Sequence, residues 1–163
     1  MNKLIFEKIY FFTSNNEKAK KLAVFVSEIS KPVFIFIYIM GIISVMCRGG
    51  EGIVRIITVP LLTLVFNTVL RKALNKPRPF NREDITNFVE HKNSGSFPSN
   101  HACSSMIISL SYFLIYPQLV PVFMTLAFFT GLSRIMTGVH YPSDVLCGWL
   151  ISLIFGIILF VIL

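Results

Sequence analysis

The sequence predicts an all-α integral-membrane protein, a bundle of five to six helices with an amphipathic, interfacial N-terminal segment. Three observations carry this. Of 163 residues, 54% are hydrophobic and only 14% charged, whereas a soluble domain carries about a quarter charged residues. Mean hydropathy is +0.71. Apolar runs of near-spanning length recur with short polar breaks, and at about 20 residues per membrane helix five helices use about 100. The rest suffices for short loops and one longer polar segment, so a single domain over residues 1–163 is expected.

Residues 1–30 mix apolar positions (Leu4, Ile5, Ile9, Phe11, Phe12, then Leu22, Val24, Phe25, Ile29) with Lys18, Lys20, Lys21 and Glu28. Neither half reaches spanning length without charge, which predicts interfacial amphipathic helices separated by Thr13 to Asn16, with a short first span as the alternative. Glu7 and Lys8 interrupt the first stretch before signal-peptide length, and no small-residue cleavage site succeeds them, so the N-terminus is expected to stay uncleaved. Pro32 to Cys47 is a continuous apolar run closed by Arg48-Gly49-Gly50-Glu51-Gly52. Ile53 to Leu70 is the next helix, with Pro60 inside it and Arg71-Lys72 at its end. Residues 71–100 form the one long polar stretch, and a connection of this length in so small a membrane protein points to function. Helices are then expected from Asn100 to Tyr116, from Pro121 to Thr137 and, after the bend Gly138 to Pro142, from Ser143 to Leu163.

Counting crossings from the Pro32 helix puts the 71–100 segment and the 134–144 bend on the same side as the N-terminal segment. Arg48 to Gly52 and Tyr116 to Pro121 fall opposite. The formal net charge of +7 suits anionic lipid headgroups or an anionic substrate. Nucleic acid is a poor partner, because no basic face stands clear of the membrane segments. Cys47, Cys103 and Cys147 are scattered inside apolar runs with no Cys-x-x-Cys spacing.

Three polar clusters share the first side: Arg71, Lys72, Lys76, Arg78 and Pro79; Ser96 through His101; and Ser133-Arg134 with His140 and Asp144. Singly, each has a bland explanation. Arg71 and Lys72 serve as positive helix flanks, Ser99 as an N-cap, Asp144 as a partner for a helix dipole. Together they supply what phosphoryl transfer needs. Arg71, Arg78 and Arg134 present planar forks matching phosphate oxygens. Backbone N–H groups near Asn100 and His101 add donors at a helix start. Two histidines supply a nucleophile and an acid for the leaving oxygen, and Asp144, four residues after His140, can hold one ring nitrogen and leave the other free.

These residues resemble the type 2 phosphatidic acid phosphatase superfamily of integral-membrane lipid phosphatases. Its pattern is Lys-x6-Arg-Pro, Pro-Ser-Gly-His and Ser-Arg-x5-His-x3-Asp. The third motif is matched in full by Ser133-Arg134, His140 and Asp144; the second as Pro98-Ser99-Asn100-His101, with Asn for Gly; the first as Arg71 and Arg78-Pro79, with Arg for Lys. Arg-Pro-Phe and Ser-Phe-Pro-Ser-x-His, together with the short length, are most similar to the small bacterial undecaprenyl-diphosphatases. The resemblance implies that His140 attacks the terminal phosphorus to give a phosphohistidine, oriented by Asp144, and that His101 protonates the leaving oxygen and later activates water. Arg71, Arg78, Ser99, Asn100 through its backbone, Ser133 and Arg134 would hold the phosphoryl oxygens. No metal or other cofactor is expected, since the arginines neutralise the charge.

The expected substrate is thus a polyprenyl diphosphate in the bilayer, undecaprenyl diphosphate first, with phosphatidylglycerophosphate or phosphatidate as alternatives. Two rivals are a metal-dependent hydrolase with His101, His140 and Asp144 as ligands, which three arginines would disfavour, and a lipid-phosphate binder, which needs no nucleophile. The loop residues Glu90, His91 and Lys92 are expected to be solvated, with contact to the headgroup or a second phosphate as the alternative, and the phenylalanines to form lipid-facing or packing surface before any groove for an isoprenoid tail. Of the 15 Lys+Arg, 13 lie on the motif-bearing side. The positive-inside rule would make that side cytoplasmic; the resemblance places the site outside a bacterial plasma membrane, and that placement is adopted.

Overall fold

The computed structural model describes residues 2–91 and 94–162, so Lys92 of the loop and Leu163 of the last helix lie outside the described residues. Among the described residues six α-helices run in order: α1 Asn2–Ser14, α2 Glu17–Cys47, α3 Ile53–Leu74, α4 Asn100–Ser111, α5 Val120–Met136 and α6 Pro142–Ile162. There is no strand among the described residues. The helical stretches Glu17–Cys47, Ile53–Asn81 and Pro117–Met136 are long and apolar enough to cross a bilayer, and Pro142–Ile158 is a shorter apolar helix. Large apolar side chains cover the outside, Phe36 at 64%, Val54 at 62% and Ile157 at 63% exposure, an outer surface suited to lipid rather than water.

The break at Thr13 to Asn16 is present, and Asn16 caps α2 by accepting the N–H groups of Lys18 and Ala19, each at 3.1 Å. Beyond the cap the chain departs from the sequence expectation. Glu17 to Ser30 is not a separate interfacial helix; it is the first half of α2, which runs through Pro32 without interruption. A proline removes one helical hydrogen bond, which packing against neighbouring helices offsets. Here Ala23, Ser27 and Ser30 are buried, and Ser27 faces α5. At about 1.5 Å per residue, the 31 residues of α2 span about 46 Å, against about 30 Å of hydrocarbon. The charged Glu17 to Lys21 end is the overhang.

Gly49, Gly50 and Gly52 adopt φ of 95°, 77° and 85°, the left-handed turn that only glycine makes freely. α3 extends one turn beyond the expected Leu70, so Arg71 projects from its last turn. α4 is shorter than expected: the α-helix stops at Ser111, and 3-10 turns at Tyr112–Leu114 and Pro117–Leu119 lead into α5. Hydroxyls of Ser105, Ser109 and Ser111 donate back to carbonyls three or four residues earlier, a competition that weakens regular helix.

α4 is the buried centre, packed against α2, α3, α5 and α6. Small residues permit this: a Cβ on Gly148 of α6 would lie 2.7 Å from the Ser99 carbonyl oxygen, the close approach that membrane helices favour. At the end far from the 71–100 segment, the Arg48 guanidinium stacks 4.4 Å from the Tyr116 ring centroid and donates to the Ile115 carbonyl at 3.2 Å. At the near end, α1 braces the loop. Phe6 stacks on Tyr10 at 5.6 Å, Tyr10 stacks on Phe88 at 5.3 Å, and the Tyr10 hydroxyl bridges the Thr86 N–H and C=O.

Candidate active site

The bend after α5 fixes the centre of the site. The Arg134 carbonyl accepts the N–H groups of both Val139 and His140 at 3.1 Å, so a spacing of six residues folds the histidine back beside the arginine. α6 then starts at Pro142, and Asp144 in its first turn faces the ring: His140 Nδ1 lies 3.4 Å from Asp144 Oδ2. That carboxylate oxygen also accepts the Tyr141 N–H at 2.9 Å and the Ser96 hydroxyl. On the other side, Arg78 Nη1 is 3.2 Å from His140 Nε2. A guanidinium has donors only, so Nε2 carries the lone pair and Nδ1 the proton that points at Asp144. The tautomer thus leaves the Nε2 lone pair facing Arg78 and not bound to a proton.

Arg78, 1% exposed, sits in a cage of carbonyls: Nε donates to Ser94 O at 2.8 Å, Nη1 to Val139 O at 3.1 Å and Nη2 to Gly95 O at 3.1 Å. Carbonyl oxygens are acceptors that hold a guanidinium in its charged form, so the cage keeps Arg78 cationic although it is buried. Burial pushes the His140 pKa below its usual value; Asp144 opposes this, while Arg78 and Arg134 add to it. The imidazole is neutral in the resting site.

Nearby is a pocket of about 500 Å³ whose wall includes Arg71, His91, Asn100, His101 and Arg134; the buried His140 ring is not part of that wall and lies 6.2 Å from the His91 ring. Arg134, 4% exposed, donates from Nη1 to Ser27 Oγ at 2.5 Å, while its Nε has no partner among the described residues. Two carboxylates of the wall, Glu28 and Glu90, are exposed. Among the described residues neither lies within ion-pair distance of Arg71, Arg78 or Arg134. Buried guanidinium groups without a counter-charge are costly, and an anion in the pocket removes that cost.

The other expected site residues fall differently. Ser99 caps α4 through the Ala102 N–H at 3.4 Å, its own N–H donating to Asp144 O at 2.9 Å. Ser133 donates back to Thr130 O at 2.8 Å. Neither lines the pocket, nor do Arg78 and His140. The Asn100 amide turns toward α3, accepting from Asn67 Nδ2 at 2.5 Å and donating to Thr68 Oγ1 at 3.1 Å, so its side chain ties two helices together. His91 is not merely a solvated loop residue: its ring centroid is 6.3 Å from that of His101 and 6.2 Å from that of His140. Sequence reasoning missed the roles of Ser27 and Ser96. A polar residue in the buried stripe of a membrane helix was the available signal for Ser27. Among the described residues, no three His, Cys, Asp or Glu side chains converge as a metal-ligand set.

An apolar groove of about 480 Å³ leads away from the pocket between α2, α3 and α4, past Phe34, Tyr38, Pro60, Leu64 and Ile108, and shares Lys31, Asn100 and His101 with it. Ile35, Ile57 and Leu61 along it are 48%, 40% and 56% exposed, so its flank opens on the outer surface of the bundle.

The sequence pattern of the PAP2 superfamily matches residues 52–163. An undecaprenyl-diphosphatase of Bacillus subtilis, BcrC, is 27% identical over 168 residues, covering 98% of this chain and 83% of that enzyme. An undecaprenyl-diphosphatase of Sulfolobus acidocaldarius is 26% identical, covering 80% and 64%. Among solved structures, Aquifex aeolicus LpxE superposes with a TM-score of 0.63 at 25% identity, covering 86% of this chain and 93% of that one. The fold is also that of a PAP2-type phosphatidylglycerolphosphate phosphatase from Bacillus subtilis, with a TM-score of 0.71 at 21% identity over 96% of this chain and 83% of that one. With the matched pattern spanning all three site motifs, the chain belongs to the PAP2 superfamily.

Proposed function

We propose that this membrane lipid phosphatase removes the terminal phosphate of a lipid diphosphate, undecaprenyl diphosphate being the best fit, through a phosphohistidine on His140. The observation that carries the reading is a buried, Asp-oriented imidazole whose ring lies 6.2 Å from that of His91, on the wall of a pocket whose guanidinium groups no carboxylate among the described residues pairs with. Relatives whose names specify undecaprenyl diphosphate support the lipid, one of them matched along 98% of this chain.

In the first step His140 Nε2 attacks the terminal phosphorus as the bond to the bridging oxygen breaks. The electron pair goes to that oxygen, which takes a proton from His101, and the lipid monophosphate leaves. In the second step water attacks the phosphohistidine, His101 accepts its proton, the P–N bond breaks and inorganic phosphate departs. Arg71, Arg134 and the Arg78 donor beside Nε2 neutralise the charge on the equatorial oxygens, and Asp144 stabilises the imidazole as charge develops on it. The groove takes the apolar tail.

The test is phosphate release by detergent-purified protein in excess EDTA, offered undecaprenyl diphosphate, phosphatidylglycerophosphate and phosphatidate in parallel, beside His140→Ala. Turnover in EDTA that favours the diphosphate and disappears in the variant is the expected result. Activity only with added metal would overturn the mechanism, and preference for a monophosphate lipid would overturn the substrate. The site is proposed to face the extracytoplasmic side of a bacterial plasma membrane. A tag in the 81–96 loop should then be labelled in intact cells, and labelling only after permeabilisation would reverse the orientation.

A further inference from the structure

Lys31 stands where the groove and the pocket meet. Among the described residues it lines both cavities, as do only Asn100 and His101, and it comes from α2, upstream of the segment that matches the superfamily pattern. Lys31 is exposed, and its ammonium forms no hydrogen bond or ion pair with any of the described residues. Glu28, one turn earlier on the same helix and on the wall of the same pocket, is not paired with it.

The position has a chemical meaning once the substrate is laid in. With the tail in the groove and the terminal phosphorus at His140 Nε2, the group crossing the junction differs between lipid classes. In a lipid monophosphate it is a neutral ester oxygen and the first carbons of the alcohol. In a lipid diphosphate it is the inner phosphate, which bears a negative charge throughout and gains more as the bridging bond breaks. An unengaged cation at that point attracts the second kind of substrate and offers the first nothing to bind. Its attraction also grows along the reaction coordinate, because the leaving group is a lipid monophosphate whose charge increases as it departs.

We infer that Lys31 is a specificity-determining residue that pairs with the inner phosphate of a lipid diphosphate and so selects diphosphate over monophosphate lipids. This rests on the proposed diphosphatase activity, and the experiment separates the two. Wild type, Lys31→Met and Lys31→Arg are assayed for phosphate release from undecaprenyl diphosphate and from phosphatidate, with kcat and KM resolved and thermal stability checked. Lys31→Met should lower the ratio of kcat/KM for the diphosphate to that for the monophosphate by about tenfold, and Lys31→Arg should restore most of it. An equal fall for both lipids, or an unchanged ratio, would overturn the inference while leaving the diphosphatase reading intact. Wild type that releases no phosphate from the diphosphate would overturn both.

Discussion

Replacing Gly148 with alanine tests whether catalysis depends on the close crossing of α4 and α6. A Cβ at this position would lie 2.7 Å from the Ser99 carbonyl oxygen and 3.2 Å from the Cys103 nitrogen, where ordinary contact begins at 3.4 Å. Both obstacles are backbone, so no rotamer change relieves them, and α6 must recede by about 0.7 Å, with overpacking of this kind costing about 1–3 kcal/mol. The recoil acts one turn from Asp144, which is joined to the α4 side by the Ser99 N–H at 2.9 Å and by the Ser96 hydroxyl. Asp144 and His140 ride with α6, while His101 stays on α4. Since a displacement of about 1 Å can cost about 100-fold in rate, kcat should fall by about 10- to 50-fold. Gly156→Ala is the matched control: its Cβ would meet only side-chain ends, Leu110 Cδ1 at 3.0 Å and Ile107 Cδ1 at 3.1 Å, which can yield. Phosphate release and thermal stability are measured for both variants in one detergent. If Gly148→Ala keeps kcat within twofold of wild type, or if Gly156→Ala loses as much, the close crossing is not what aligns the site.

The buried charges make two further outcomes testable. Burial holds the His140 pKa below its ordinary 6.5, so the neutral nucleophile persists as pH falls through that value and the acid limb of kcat/KM should have its midpoint below pH 6.5. Asp144 raises this pKa, so Asp144→Asn should shift the limb further toward acid while lowering kcat on the order of 10⁴-fold through loss of the tautomer; a limb above pH 6.5, or a shift toward base in the variant, would contradict the assignment. Ser27→Ala removes the hydroxyl that Arg134 Nη1 donates to, while Nε of the same guanidinium has no partner among the described residues. At about 1 kcal/mol per hydrogen bond, this change should weaken inhibition by inorganic phosphate about fivefold. Unchanged inhibition would mean that Ser27 does not orient the arginine.

The third motif was legible because its geometry is local. The carbonyl of Arg134 collects His140 within six residues, and Asp144 sits one helical turn later. The contacts that complete the site join distant segments, Ser27 to Arg134 across 107 residues and Ser96 to Asp144 across 48, and a serine carries no signal of such a partner. His91 has the sequence surroundings of a solvated loop residue, and its approach to His101 and His140 depends on how the loop folds over α4. Pro32 misleads for a related reason. It marks a helix start in an isolated chain, but α2 packs on α5 and buries Ser27 and Ser30 before it and Phe34 and Ile37 after it. Apolar runs are enough to count the helices, yet α4, expected to reach Tyr116, ends at Ser111, because serines that bond to their own backbone weaken the last turns.

The groove that opens between α2, α3 and α4 sets the dimensionality of the encounter. A substrate that slides in through Ile35, Ile57 and Leu61 never withdraws its tail from the hydrocarbon phase, so the search for the site takes place in a plane. The rate then depends on the mole fraction of substrate among the surrounding amphiphiles rather than its molarity in the tube. Adding inert detergent at fixed substrate and enzyme should slow turnover by surface dilution alone, while enlarging the aqueous volume around the same mixed micelles should leave it unaltered.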